Sequence, residues 1–97
     1  MTIEEIETML SQEDKPEFLH PERIVGFTGR VDLWAFNLLD RLCPGKSDMV
    51  DSAGHDQIWL SVETSQLALI ATAEDIVTLI RCGVFYDEDT ASLTMYA

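Results

Sequence analysis

A chain of 97 residues, 46% of them hydrophobic, is long enough for one packed core, too short for two ordinary domains and too apolar for a disordered acidic tail. Eighteen acidic residues against six basic ones leave a net charge of −12. That charge argues against nucleic acid and anionic membranes as direct partners and for a basic protein surface, approached faster at low salt.

The first element is announced by Thr2-Ile3-Glu4-Glu5, which has the spacing of a capping box: the threonine accepts a helix amide while Glu5 reaches back. Ile3, Ile6, Met9 and Leu10 then fall on one stripe, and Glu4, Glu5, Thr8, Ser11 and Gln12 face away. This helix should stop before Asp14-Lys15-Pro16. Pro16 and Pro21 bracket a piece too short for a long helix, and a turn or two of helix is expected from Pro21 to Val25. Over 30–42, Val31, Trp34, Ala35, Leu38 and Leu42 form a helical stripe, ended by Pro44-Gly45. The alternation Val31, Leu33, Ala35 keeps a strand at 30–36 open as the alternative. Residues 44–56 are rich in Gly, Ser and Asp and read as a long loop.

Gln57–Val62 alternates, with Ile58, Leu60 and Val62 on one face and Trp59 on the other. A short helix around Ser65–Ile70 follows. Thr72-Ala73-Glu74-Asp75 opens another, with a threonine cap and carboxylates in the first turn, and Gly83 closes it. Val84–Tyr86 and Leu93–Tyr96 form a hairpin across residues 87–92. The expected fold is α+β: a small three-stranded antiparallel sheet packed with about four helices, one domain over 1–97. Its helical part is 1–43, its loop 44–56, and its strand-helix-helix-hairpin part 57–97.

Chemistry-bearing motifs are scarce. Cys43 and Cys82 are too few for a disulfide framework and each closes an apolar run. Both are expected as buried thiols in a reducing compartment, with a single bridge as the alternative. His55-Asp56 has the form of a metal-binding dipeptide, but it sits in the expected loop and the other histidine, His20, stands beside a proline, so a turn histidine is the better reading. Asp87-Glu88-Asp89 is not followed by the glycine that an EF-hand loop requires. No nucleophile elbow, phosphate loop, dinucleotide fingerprint or C-x-x-C occurs. The expectation is a non-enzymatic protein without cofactor or metal. Met1 leads into Thr2–Glu5 without a basic start or an apolar stretch, so the expected compartment is the cytoplasm.

The more informative set follows from strand parity. With Ile58, Leu60, Val84, Tyr86, Leu93 and Met95 turned inward, Trp59, Phe85 and Tyr96 share the opposite face, with Asp87 near its edge. Aromatic residues rimmed by carboxylates suit protein binding. Either the face is open, to a partner or to a second copy in a homodimer, or the first helix covers it. Residues 49–97 carry eight acidic residues and one base, Arg81. Asp87, Glu88 and Asp89 at the hairpin tip are candidate contacts, joined by Glu74 and Asp75 if the hairpin folds back. Glu4 and Glu7 on the first helix stand one turn apart, about 5–6 Å, a phosphate-like spacing.

The stretches IWLSV, ATAEDIVTLIRCGVFYDEDT and SLTMYA resemble the ends of short acidic proteins found in phages and prophages. The resemblance covers the C-terminal 40 or so residues and carries over no functional residue. It implies a protein that acts in the host cytoplasm by binding host machinery, as anti-CRISPR and anti-restriction proteins do. An immunity protein or antitoxin that neutralises a basic nuclease, and a homo-oligomeric phage accessory protein, are the alternatives.

Overall fold

The computed structural model describes residues 1–11, 29–45 and 48–96. The helical turn expected at 21–25 and the segment between Pro16 and Pro21 lie outside the described residues. Among the described residues, four helices and four strands follow in the order α1 (Ile3–Leu10), α2 (Val31–Leu42), β1 (Val50–Gly54), β2 (Gln57–Leu60), α3 (Thr64–Ile70), α4 (Ala73–Arg81), β3 (Phe85–Asp87) and β4 (Ser92–Tyr96). The strands make one antiparallel sheet in the order β1-β2-β4-β3. The α+β class therefore holds, with four strands in place of the expected three.

The fourth strand, β1, lies inside the segment whose composition reads as loop. Its residues 50–53 are exposed, so no apolar pattern marks it. What holds it is pairing with β2, Val50 opposite Leu60 and Ala53 opposite Ile58. The contact continues where the Ser61 N–H donates to the Met49 carbonyl at 2.8 Å and the Ser61 hydroxyl to the Asp48 carbonyl at 2.7 Å. The register shifts between Val50 and Ser52, leaving Asp51 in a bulge. His55 and Asp56 form the two-residue turn between β1 and β2, with His55 at φ 54°, a sign of φ that suits the hairpin twist. The strand alternative for 30–36 is replaced by helix: Ala35, Leu38 and Leu39 point into the core at helical spacing.

Local signals explain the helix ends. In α1 the capping box forms as the spacing predicts, Thr2 with Glu5; in α4 the expected Thr72 cap forms, and Asp75 completes it as a second box. After α4 the Gly83 N–H donates to the Ile80 carbonyl and the Val84 N–H to the Leu79 carbonyl, both at 3.0 Å, with Gly83 at φ 90°. This is a Schellman end; a side chain at 83 would strain it, and Val84 and Leu79 supply its apolar contact. One buried cluster unites Ile6 and Leu10 of α1, Ala35, Leu38 and Leu39 of α2, Leu67 of α3 and Ile76, Leu79 and Ile80 of α4 with Leu60, Leu93 and Met95 of the sheet. Each fully buried Leu or Ile of this cluster contributes about 1.5–3 kcal/mol. Helix α1 packs on α3, α4 and the edge strand β3, and α2 packs on α4. Cys43 and Cys82 are free thiols, and burial pushes Cys82 up to about 11.

Candidate functional site

Register places the aromatic trio as parity predicts. Trp59 on β2 and Phe85 on β3 both stand opposite Thr94 of β4, and Tyr96 stands opposite Gln57. Directly paired residues share a face, so Trp59, Thr94, Phe85, Gln57 and Tyr96 lie together. The core residues of the sheet are of the other parity, and all four helices contribute to that core. Helix α1 thus packs on the core side; Tyr96 is 68% exposed and Trp59 and Phe85 are half-buried.

Beneath the aromatics is a fully satisfied polar centre. Thr94 is completely buried; its hydroxyl donates to the Ile58 carbonyl at 2.7 Å and accepts from the Gln57 amide nitrogen at 2.9 Å. Around it, the Trp59 indole reaches across the sheet. Its Nε1–H donates to Oδ2 of Asp87 on β3 at 3.1 Å, while a side chain on Gly54 of β1 would meet its Cζ3 at 3.8 Å. The ring therefore spans the sheet from Gly54 towards Asp87. The Phe85 and Tyr96 rings, 5.2 Å apart between centroids and tilted by 37°, extend the surface.

The three acids of the hairpin tip separate into two kinds. Asp87 is occupied within the protein: Oδ2 accepts from Trp59 and Oδ1 from the Asp89 N–H at 3.0 Å. The Trp59 bond, followed by those from Asp89 and Thr90, holds its carboxyl below the ordinary aspartate range. Asp87 is thus the residue that orients the indole and shapes the turn. Glu88 and Asp89 are exposed. Glu74 and Asp75 belong to the helix layer on the other side of the sheet: the Asp75 carboxylate accepts from the Thr72 N–H at 3.0 Å in its own helix cap.

Glu88 has different neighbours, which the sequence did not suggest. With Glu4, Glu7 and Thr8 of α1, the helix's C-cap Ser11 and Tyr86 of β3 it lines a cleft of about 420 Å³. Glu7 accepts from the Thr64 hydroxyl at 3.2 Å. Burial, together with the Glu7 carboxylate and the nearby Glu88 and Asp87, pushes the Tyr86 hydroxyl up. No local pattern links residues 4, 64, 86 and 88, so only the fold could reveal this acidic corner. A second surface is apolar: Leu69 and Ile70 at the end of α3 are 89% and 57% exposed.

His55 and Asp56 are exposed turn residues; His20 lies outside the described residues. Among the described residues no group of three or more His, Cys, Asp or Glu side chains is placed to hold a metal ion. Nor is any helix among them long and apolar enough to cross a membrane. No family model, no curated protein and no solved structure matches this chain.

Proposed function

We propose that the chain is a non-enzymatic acidic binding protein that occupies a basic, nucleic-acid-binding surface of a larger complex. The class is that of inhibitors which phages direct against CRISPR and restriction machinery in the host cytoplasm. The observation that carries this reading is the juxtaposition of an aromatic sheet face, fixed by Trp59 and Asp87, with exposed carboxylates at the adjoining tip, in a half of the chain whose only base is Arg81. Aromatic anchors supply contact area that a partner desolvates, and carboxylates at the rim speed approach to a basic surface. The contact set is Trp59, Phe85, Tyr96, Glu88 and Asp89. Asp87 acts on it from within, and Glu74 and Asp75 belong to the acidic field rather than to the face.

The test begins with the partner retained from host lysate by the purified protein. Its affinity is measured from low to high salt, and its nucleic acid is offered in competition. A steep fall with salt, together with displacement of the nucleic acid, is expected. A flat salt response, or simultaneous binding of protein and nucleic acid, would refute the reading.

A further inference from the structure

Resting on that reading of the sheet face, we infer that Trp59, Phe85 and Tyr96 form a platform for arginine side chains of the partner, with guanidinium groups stacked on the aromatic rings. Three observations lead there. First, the indole is held at its nitrogen by the bond from Nε1 to Asp87 and runs beside the side-chain-free Gly54, above a buried Thr94 whose hydroxyl is bonded on both sides. A ring held in this way offers a planar surface in one orientation. Second, its N–H donates to a carboxylate, which raises the electron density of the ring and with it the attraction for a cation over its face. Third, the register puts acids at both ends of the platform. Asp56 is in the turn beside Gln57 and Tyr96, and Asp87, Glu88 and Asp89 follow Phe85 at the other end.

A planar cation with several donors fits this combination: its plane stacks while its N–H groups reach the carboxylates. Lysine has the charge without the plane. A nucleobase has the plane without the charge, and a surface in a half-chain of eight acids and one base repels the phosphates attached to it. A second copy of this chain would bring another −12 to the contact.

The experiment follows the Trp59 indole N–H resonance, assigned by difference against Trp59→Phe, while hexa-arginine, hexa-lysine and a short oligothymidylate are each titrated at one moderate salt concentration. Hexa-arginine should move that resonance and bind roughly fivefold or more tightly than hexa-lysine, the size of one to two cation–π contacts. Tyr96→Ser, at an exposed position outside the buried core, should weaken hexa-arginine by roughly threefold and hexa-lysine by less, with the fold checked by the remaining amide spectrum. Equal binding of the two peptides with the resonance unmoved would leave attraction by charge alone; the platform would then fall while the basic-surface reading stood. Absence of binding by either peptide, there and in a repeat at low salt, would remove both. Movement of the resonance by the oligothymidylate, with hexa-arginine inert, would reassign the face to nucleobases.

Discussion

The two faces of the sheet are made from alternate residues of the same strands, yet they are stabilised by different means. On the helix side Ile58, Leu60, Leu93 and Met95 meet a wall of Leu and Ile from α1, α2, α3 and α4. On the other side each main residue is tied by a directional bond or ring contact: Gln57 to Thr94, Thr94 to the Ile58 carbonyl, Trp59 to Asp87, Phe85 to Tyr96. Apolar burial against helices fixes the first face and contributes most of the stability. Hydrogen bonding fixes the second, where Tyr96 is exposed and Trp59 and Phe85 are half-buried. Order and burial have been separated across the thickness of one sheet.

Mutations graded across the two faces should expose that division. Leu93→Ala, in the buried face, should have the largest effect, about 2–5 kcal/mol lost in urea unfolding, because the site is closed on all sides and cannot collapse fully. A loss below 1 kcal/mol would mean that the helix layer is looser than its packing indicates. Thr94→Val should cost less, about 1–2 kcal/mol, since it removes an acceptor from Gln57 and a donor from the Ile58 carbonyl at nearly constant volume. It should also broaden the Trp59 indole signal if the polar centre underlies the aromatic order.

Asp87→Asn probes the bond that joins the sheet face to the tip. The folded-state carboxyl lies below its ordinary value, so its contribution is present at neutral pH and is lost as pH falls through that lowered value, below about pH 4. The variant should be less stable than the wild type at pH 7, with the gap closing as acid is added. A constant gap across pH would assign the loss to the turn alone. At the small end, Glu88→Gln with Asp89→Asn should change stability by less than about 0.5 kcal/mol and slow partner association several-fold with dissociation unchanged. An unchanged on-rate would move the electrostatic contact to Glu4 and Glu7, across the cleft that they share with Glu88.

The sequence exposed whatever depended on near neighbours. Thr2 with Glu5 and Thr72 with Asp75 carry their caps in four residues each, Gly83 marks the end of α4, and alternation at 57–60 and 93–96 separates Trp59 and Tyr96 from Leu60 and Met95. Strand β1 was missed because Asp51, Ser52, Ala53 and Gly54 have low strand propensity and bury little; its stability comes from β2, which propensity does not register. The interior role of Asp87 had a legible half, since an aspartate whose carboxylate takes the N–H two residues on is an ordinary turn device. Its bond to Trp59, 28 residues away, did not. Glu7, Thr64 and Tyr86 meet only because α1 lies against both α3 and β3.

The bulge at Asp51 has a consequence for the protein as a population of molecules. Strand β1 is an outer strand of the sheet with four exposed residues in a row, the geometry on which a second chain's strand would add and a fibre would grow. The shift of register between Val50 and Ser52 interrupts the regular spacing of the strand's outward amides and carbonyls, and it does so at a charged residue. An incoming strand would find its ladder interrupted and a carboxylate at the break. Concentrated solutions should therefore stay dispersed and free of cross-β aggregation, even though β1 is the outer strand of the sheet among the described residues.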